Sequence, residues 1–162
     1  MLICLSPKQR VLREAAKSSS SGRVVTTTWL EQLDTEAATW VTVLVREEVS
    51  RTLQRSDMDK LLELIEALPE DLVASQQVGL DQGRVGTVLR AFYSSLFSTV
   101  APQFERLQDP EFRELTRRQT ADLVAEAHTR VHDVVSSKKN LYNQSILSHT
   151  QNEVRVLLGC SS

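Results

Sequence analysis

Glycine and proline are scarce in this chain of 162 residues, five and four respectively. Few breakers therefore interrupt long stretches of straight-chain helix formers, and a turn-rich fold is excluded. Cysteine is almost missing too. Cys4 and Cys160 stand at opposite ends, which provides no disulfide framework and fits a reducing compartment. Neither charge sign dominates: 19 Lys and Arg face 21 Asp and Glu, a net charge of −2 and a pI near 5.9, so no global field draws the chain to nucleic acid or acidic lipid. The four Phe, two Trp and two Tyr show no interleaving of the kind that stacks bases, and nucleic-acid binding is not expected. The apolar run around Val43-Leu-Val45 falls far short of the about 20 residues that cross a bilayer, so any membrane contact is expected to be peripheral. Met1 to Leu5 is apolar but too short for a signal-peptide core, and no basic residue precedes it.

The residues present read as helices. Pro7 followed by Lys8 to Lys17 suits a short helix, and Ser18 to Gly22 a flexible linker, so residues 1–26 are expected outside the fold and residues 27–162 within one helical domain. Thr26 to Thr28 offers an N-cap. Leu30, Leu33, Ala37, Trp40 and Leu44 then recur at helical spacing, a second stripe of Val41, Val45, Val49 and Leu53 runs beside them, and the helix is expected to reach about Gln54. Ser56-Asp57 should cap a shorter helix carrying Leu61, Leu62, Leu64, Ile65 and Leu68, which Pro69 ends. After a joint over residues 70–81, Asp81 starts a helix with Val85, Val88, Leu89, Phe92, Leu96, Phe97 and Val100. Asp109-Pro-Glu111 places a cap, a first-turn proline and a first-turn acid in order. The inward face of that helix is expected to be Phe112, Leu115, Leu123, Ala127, Val131 and Val134 or Val135, interrupted by the polar pair Gln119 and Thr120 and ended at Lys138 to Asn140. Thr150 and Glu153 make a capping box ahead of Val154, Leu157 and Leu158.

Chemistry is hard to find. Gly79, Gly83 and Gly86 lack the Lys-Ser/Thr of a phosphate loop and follow no strand. No Ser sits in a Gly-x-Ser-x-Gly turn, and neither Cys has a basic neighbour that would favour its thiolate. His128 and His132 stand four apart, a spacing zinc hydrolases use, with His149 able to join them only if the tail folds back. The sequence between them has no Glu to activate water and carries Arg130, so two ordinary, partly exposed helix histidines are the favoured reading and no metal or cofactor is assigned. Glu47, Glu48, Glu63, Glu66, Glu70 and Asp71 read as solvated acids. Arg113, Arg117, Arg118, Arg130, Lys138 and Lys139 concentrate positive charge, but Glu111, Glu114, Asp122 and Glu126 interleave with them, which favours a salt-bridged surface over a lipid-binding one.

Two stretches carry a family resemblance. The ending from Tyr142 to Leu158, with Ile146, Leu147, His149, Thr150, Val154, Leu157 and Leu158 in place, is similar to an "Ile-Leu-x-His/Arg-Thr/Ser-x-x-x-Val-x-x-Leu-Leu" tail. Gln119-Thr-Ala-Asp-Leu-Val-Ala-Glu-Ala127 resembles a "Gln-Ser-x-Glu-Leu-Val-x-x-Ala" segment, and Leu30 to Trp40 a "Leu-Asp-x-x-x-x-Glu-x-Ala-x-Tyr/Trp" helix start. These are features of the C-terminal helical region of subunit six of the conserved oligomeric Golgi complex, and the likeness runs from about Trp29 to Leu158. Family subunits are several times longer and assemble through an N-terminal coiled coil that has no counterpart here, so a fragment or truncated gene model is an expectation that the resemblance raises.

The resemblance implies an all-α antiparallel helical bundle of the tethering-complex rod type, with about four main helices and a short C-terminal one. It implies a vesicle-tethering scaffold in intra-Golgi retrograde transport, peripheral on the cytosolic face of the Golgi membrane, without catalysis or cofactor. Other subunits of the complex, SNAREs and small GTPases would be its partners. The rivals are a subunit of another helical tether such as exocyst, and a metal-dependent enzyme using His128 and His132. The candidate anchors are Ile146, Leu147, Val154, Leu157 and Leu158, docking either on the bundle or on a partner. The bundle is favoured, because an exposed patch of this kind is an aggregation liability.

Overall fold

A computed structural model describes residues 23–96, 102–105 and 107–160, with side chains from Trp29 onward except Leu30 and residues 102–103. The expected Lys8–Lys17 helix, the Ser18–Gly22 linker, Met1 to Leu5 with Cys4, Phe97, Val100 and the side chains of Thr26 to Thr28 and Leu30 lie outside it. The described residues form six α-helices and three 3-10 turns, with no strand among them: α1 Arg23–Gln54, α2 Met58–Glu66, α3 Gln82–Leu96, α4 Pro102–Glu105, α5 Pro110–Ser136 and α6 Gln151–Leu157. The turns are Ala74–Gln76, Lys138–Asn140 and Gln144–Ile146. This is an all-α helical bundle. It divides into two compact units, one drawn from Met1–Arg46 and Ala101–Arg117, the other from Glu47–Val100 and Arg118–Ser162.

Local chemistry sets most helix ends. Asp81 Oδ1 accepts the Arg84 N–H at 3.0 Å and Asp109 Oδ1 the Glu111 N–H at 2.8 Å, so both acids cap as the sequence suggests. The capping box of α6 is complete: Glu153 N–H donates to Thr150 Oγ1 at 3.2 Å and Thr150 N–H to Glu153 Oε2 at 2.8 Å. Helix α1 begins at Arg23, so Thr26 to Thr28 lie inside it and cannot cap it. Further threonines are tolerated there because their hydroxyls donate back one turn, Thr39 to Thr35 O at 2.9 Å and Thr42 to Ala38 O at 2.9 Å. At α2 the Ser56-Asp57 cap does not form. Asp57 is left-handed at φ 60° and its carboxylate takes Lys60 Nζ and Arg84 Nη2, each at 2.8 Å, in place of the helix N–H groups. Those two bonds, Lys60 first, hold the carboxyl below its usual range.

Two buried stripes differ from expectation. Along α1 the inward line is Ala37, Val41, Val45, Glu48 and Thr52, close to the second stripe, and Trp40 of the first stripe is exposed. Along α5 Leu115 and Leu123 face solvent, while Thr116, Thr120, Val124, His128, Val131 and Val135 are buried. Thr120 therefore belongs to the inward face it was expected to interrupt. A buried threonine behaves as an apolar residue once its hydroxyl is satisfied on its own helix, as at Thr116, whose Oγ1 donates to Phe112 O at 2.6 Å.

The core of the second unit gathers Met58 and Leu61 of α2, Val85, Val88, Leu89, Phe92, Tyr93 and Leu96 of α3, and Val124, Val131 and Val135 of α5. The joint over residues 70–81 is not loose. Ala74 and Leu80 are buried, Asn140 Oδ1 accepts the Ala74 N–H at 3.2 Å, and the Tyr142 hydroxyl donates to Leu80 O at 2.6 Å. Gly79 turns the joint at φ +84°, a dihedral that favours glycine, and a Cβ there would push on the Leu64 side chain, whose Cδ1 would lie 2.9 Å away.

Candidate functional site

The tail after α5 folds back along α3 and α5, and both apolar and polar groups hold it. Val154 has no exposed surface and sits in the main core, against which Ile146, Leu147 and Leu158 pack from half-buried positions. Leu158 also covers a second cluster of Ala121, Ala125 and Cys160. Leu157 is exposed. Of the five candidate anchors, then, Val154 is inside, Ile146, Leu147 and Leu158 lie at the seam, and Leu157 points outward. The pair Leu157-Leu158 is thus divided by its own helix. We expect Leu158→Ser to lower the unfolding free energy by about 2 kcal/mol and Leu157→Ser to change it by less than about 0.5 kcal/mol, read from urea titrations of each single variant. Equal losses from the two would contradict this division.

Polar groups fasten the same seam. Tyr93 Oη of α3 lies 3.1 Å from His128 Nε2 of α5, and the backbone N–H of His149 acts on the same phenol to favour its ionised form. The His149 ring meets the edge of the Tyr93 ring with centroids 4.8 Å apart. One turn along α5, His132 Nδ1 lies 3.0 Å from Gln151 Nε2, which also donates to Asp133 Oδ1 at 2.6 Å. Arg155 completes the row with Asp122 at 3.6 Å. Three helix-borne groups, Tyr93, His132 and Asp133, therefore hold the tail at His149 and Gln151, where α6 begins.

His128 departs from the expected partly exposed helix histidine, which His132 matches, because its side of α5 turns into the core. Its ring has no exposed surface, stacks on Phe92 with planes 8° apart, and leaves Nδ1 without a partner among the described residues. Burial, with smaller contributions from the His132 and His149 charges, depresses its pKa to about 4, so the ring is neutral at neutral pH. Burial likewise raises Tyr93 to about 12, against which the His149 N–H acts. The histidines do converge, but around the phenol. His128 Nε2 is taken by Tyr93, and His132 Nδ1 by Ser136 Oγ at 3.2 Å and Gln151, an arrangement that commits these two nitrogens to fastening the tail. Among the described residues no three His, Cys, Asp or Glu side chains are grouped to hold a metal. Cys160 is buried, and that burial, aided by Asp122, pushes its thiol above the usual value, the opposite of an activated nucleophile.

The basic residues of α5 are partly spoken for. Arg130 pairs with Glu66 at 2.8 Å and Glu126 at 3.1 Å, Arg113 reaches Glu105 at 4.0 Å, and Arg117 also pairs with Glu105. Most of these acids come from other helices, and only Glu126 is one of the interleaved acids expected. No helix of the described residues is long and apolar enough to cross a membrane. Sequence reasoning missed Tyr93, Asn140 and Gln151, because each acts on a residue 18 to 66 positions away and no local pattern announces that.

Helices closed by a folded-back tail define the class as an all-α helical bundle. The family model described as Conserved Oligomeric Golgi complex subunit 6, C-terminal, matches residues 12–158, and the chain belongs to that family. It is 23% identical to Conserved oligomeric Golgi complex subunit 6 of Dictyostelium discoideum over 98% of its own length, and it spans 23% of the length of that relative. No solved structure matches it.

Proposed function

We propose that the chain is a protein-binding scaffold of the Golgi tethering complex, acting in intra-Golgi retrograde transport and Golgi organisation, and that it is no enzyme. The observation that carries this reading is the family match over residues 12–158, which takes in every helix of the second unit. Its neighbours would be other subunits of the complex, with SNAREs and small GTPases as further partners, and its place the cytosolic face of the Golgi membrane, held peripherally. The folded-back tail supports the reading in a second way. With Val154 inserted and Leu158 bridging two clusters, the anchor residues serve to close the bundle, and partners meet the outer helix faces.

Proximity labelling with the full chain fused to a biotin ligase tests it. Enrichment of the other Golgi-complex subunits at Golgi membranes is the expected outcome. Labelling dominated by exocyst subunits, or label spread evenly through the cytosol, would replace this reading.

A further inference from the structure

The exposed side of α1 carries a feature that closing the bundle does not use. Both tryptophans of the chain, Trp29 and Trp40, lie on this helix and both are exposed, by 63% and 42%. With Leu33, Glu36 and Val43 they fall at alternating steps of four and three residues, which places the five on one stripe. That is the register with which one helix meets another. Leu33 is half-buried; the other four are exposed. Alongside runs a shallow cleft, open to solvent, lined by Trp40 and Leu44 on one side and Leu107 and Phe112 on the other.

Charge identifies what fits. From Val24 to Val45 there are three acids, Glu31, Asp34 and Glu36, and neither Lys nor Arg. Asp109 adds a carboxylate to the opposite wall of the cleft. Glu36 stands on the stripe one turn before Trp40 and has no ion-pair partner among the described residues. We propose that this stripe and its cleft receive a helix of a partner protein with apolar residues at three- and four-residue spacing and a Lys or Arg where it crosses Glu36. Tryptophans are the side chains that most often dominate such contacts, and their faces attract the same cation that Glu36 would pair. An anionic membrane does not fit, since these acids would be repelled by it. The proposal rests on the scaffold reading above and adds to it the chemistry of one partner surface.

Intrinsic fluorescence reads the stripe directly, because no tryptophan lies elsewhere in the chain. The probes are a synthetic amphipathic helix with Leu at the inner positions and Lys flanking them, and its twin with Glu for Lys. The Lys peptide should shift the emission of the full chain to the blue and bind roughly tenfold tighter than the Glu twin. Glu36→Lys, a surface change that leaves the helical circular dichroism intact, should reverse the preference, and Trp40→Ala should abolish the response to both. Equal binding of the two peptides, no binding, or a larger shift with anionic vesicles overturns the proposal. So does emission already blue in the free chain that reddens on dilution, the sign of a second copy, or after removal of residues 1–22, the sign of a segment of this chain. Complex membership is judged separately, by labelling in cells. Golgi-subunit labelling that persists beside a failed peptide test discards the stripe alone, and the reverse result discards the membership.

Discussion

Phe92→Ala is expected to lower the unfolding free energy by about 3–5 kcal/mol, the range for emptying a fully buried aromatic site. A domain of ordinary stability has about 5–15 kcal/mol in all, so the variant would be at or near the margin of folding. The site cannot easily collapse. Phe92 has no exposed surface, lies flat against the His128 ring with centroids 5.7 Å apart, and meets the Tyr93 ring edge-on at 5.8 Å. Removing the ring therefore strips packing from the core and uncovers the one histidine that has lost a hydrogen-bond partner. Urea titration followed by circular dichroism measures the effect, with Val78→Ala, at 97% exposed, as the comparison expected to change stability by less than about 0.5 kcal/mol. A loss below about 1 kcal/mol at Phe92 would mean that the packing around His128 is looser than described.

Acid is the second large lever. His128 binds a proton at about 4 in the folded protein against 6.5 for the free side chain. Between those values the unfolded chain carries the proton and the folded chain does not, so stability is at its full value above about 6.5 and falls as the pH drops. The total loss by pH 4 is about 3 kcal/mol for this one group, at 1.36 kcal/mol per unit. Around it stand Tyr93 from α3, His132 from α5 and His149 from the tail, and the phenol does not titrate in this window. Glu153 acts lower. Its carboxyl is held down by the Thr150 N–H and hydroxyl, a contribution lost only as the pH falls through 4.5 and below. Chemical denaturation midpoints from pH 7.5 to 4.5 should fall steeply for the natural chain and by roughly one proton less for His128→Gln. Identical slopes for the two would place the acid sensitivity elsewhere. Phe92→Ala supplies an internal check, because water admitted to the His128 ring should flatten the same slope.

The helices were legible in the sequence where the cause is local. Asp81, Asp109 and the Thr150–Glu153 box are short-range hydrogen-bond devices, and spacing alone identifies them. Asp57 failed as a cap because Lys60, three positions on, and Arg84, 27 positions away, both take its carboxylate, and the second of these has no local signal. Val41, Val45 and Leu53 of the second α1 stripe and the Ala127, Val131 and Val135 end of the α5 face are buried as expected, but Trp40, Leu115 and Leu123 were misplaced for a related reason. Hydropathy favours Leu115 and Leu123 over Thr116, Thr120 and His128, yet the neighbours in space decide which side turns in, and the small hydroxyl and the Tyr93-bound imidazole fit there. Of the tail, the sequence supplies the apolar residues and the capping box. Which leucine turns inward depends on where α6 lies against Ala121 and Ala125, a fact of packing.

The adjacent pair of clamps at Asn140 and Tyr142 has a kinetic consequence. They reach back across 66 and 62 residues to Ala74 and Leu80, so the 70–81 crossover gains its fixed path only once α5 and the start of the tail have arrived. Crossover and tail then order late and together, and they form one cooperative opening segment in the mature protein. Amide protons at residues 74–80 and 142–154 should exchange with a shared opening energy, although more than 60 residues separate them in sequence.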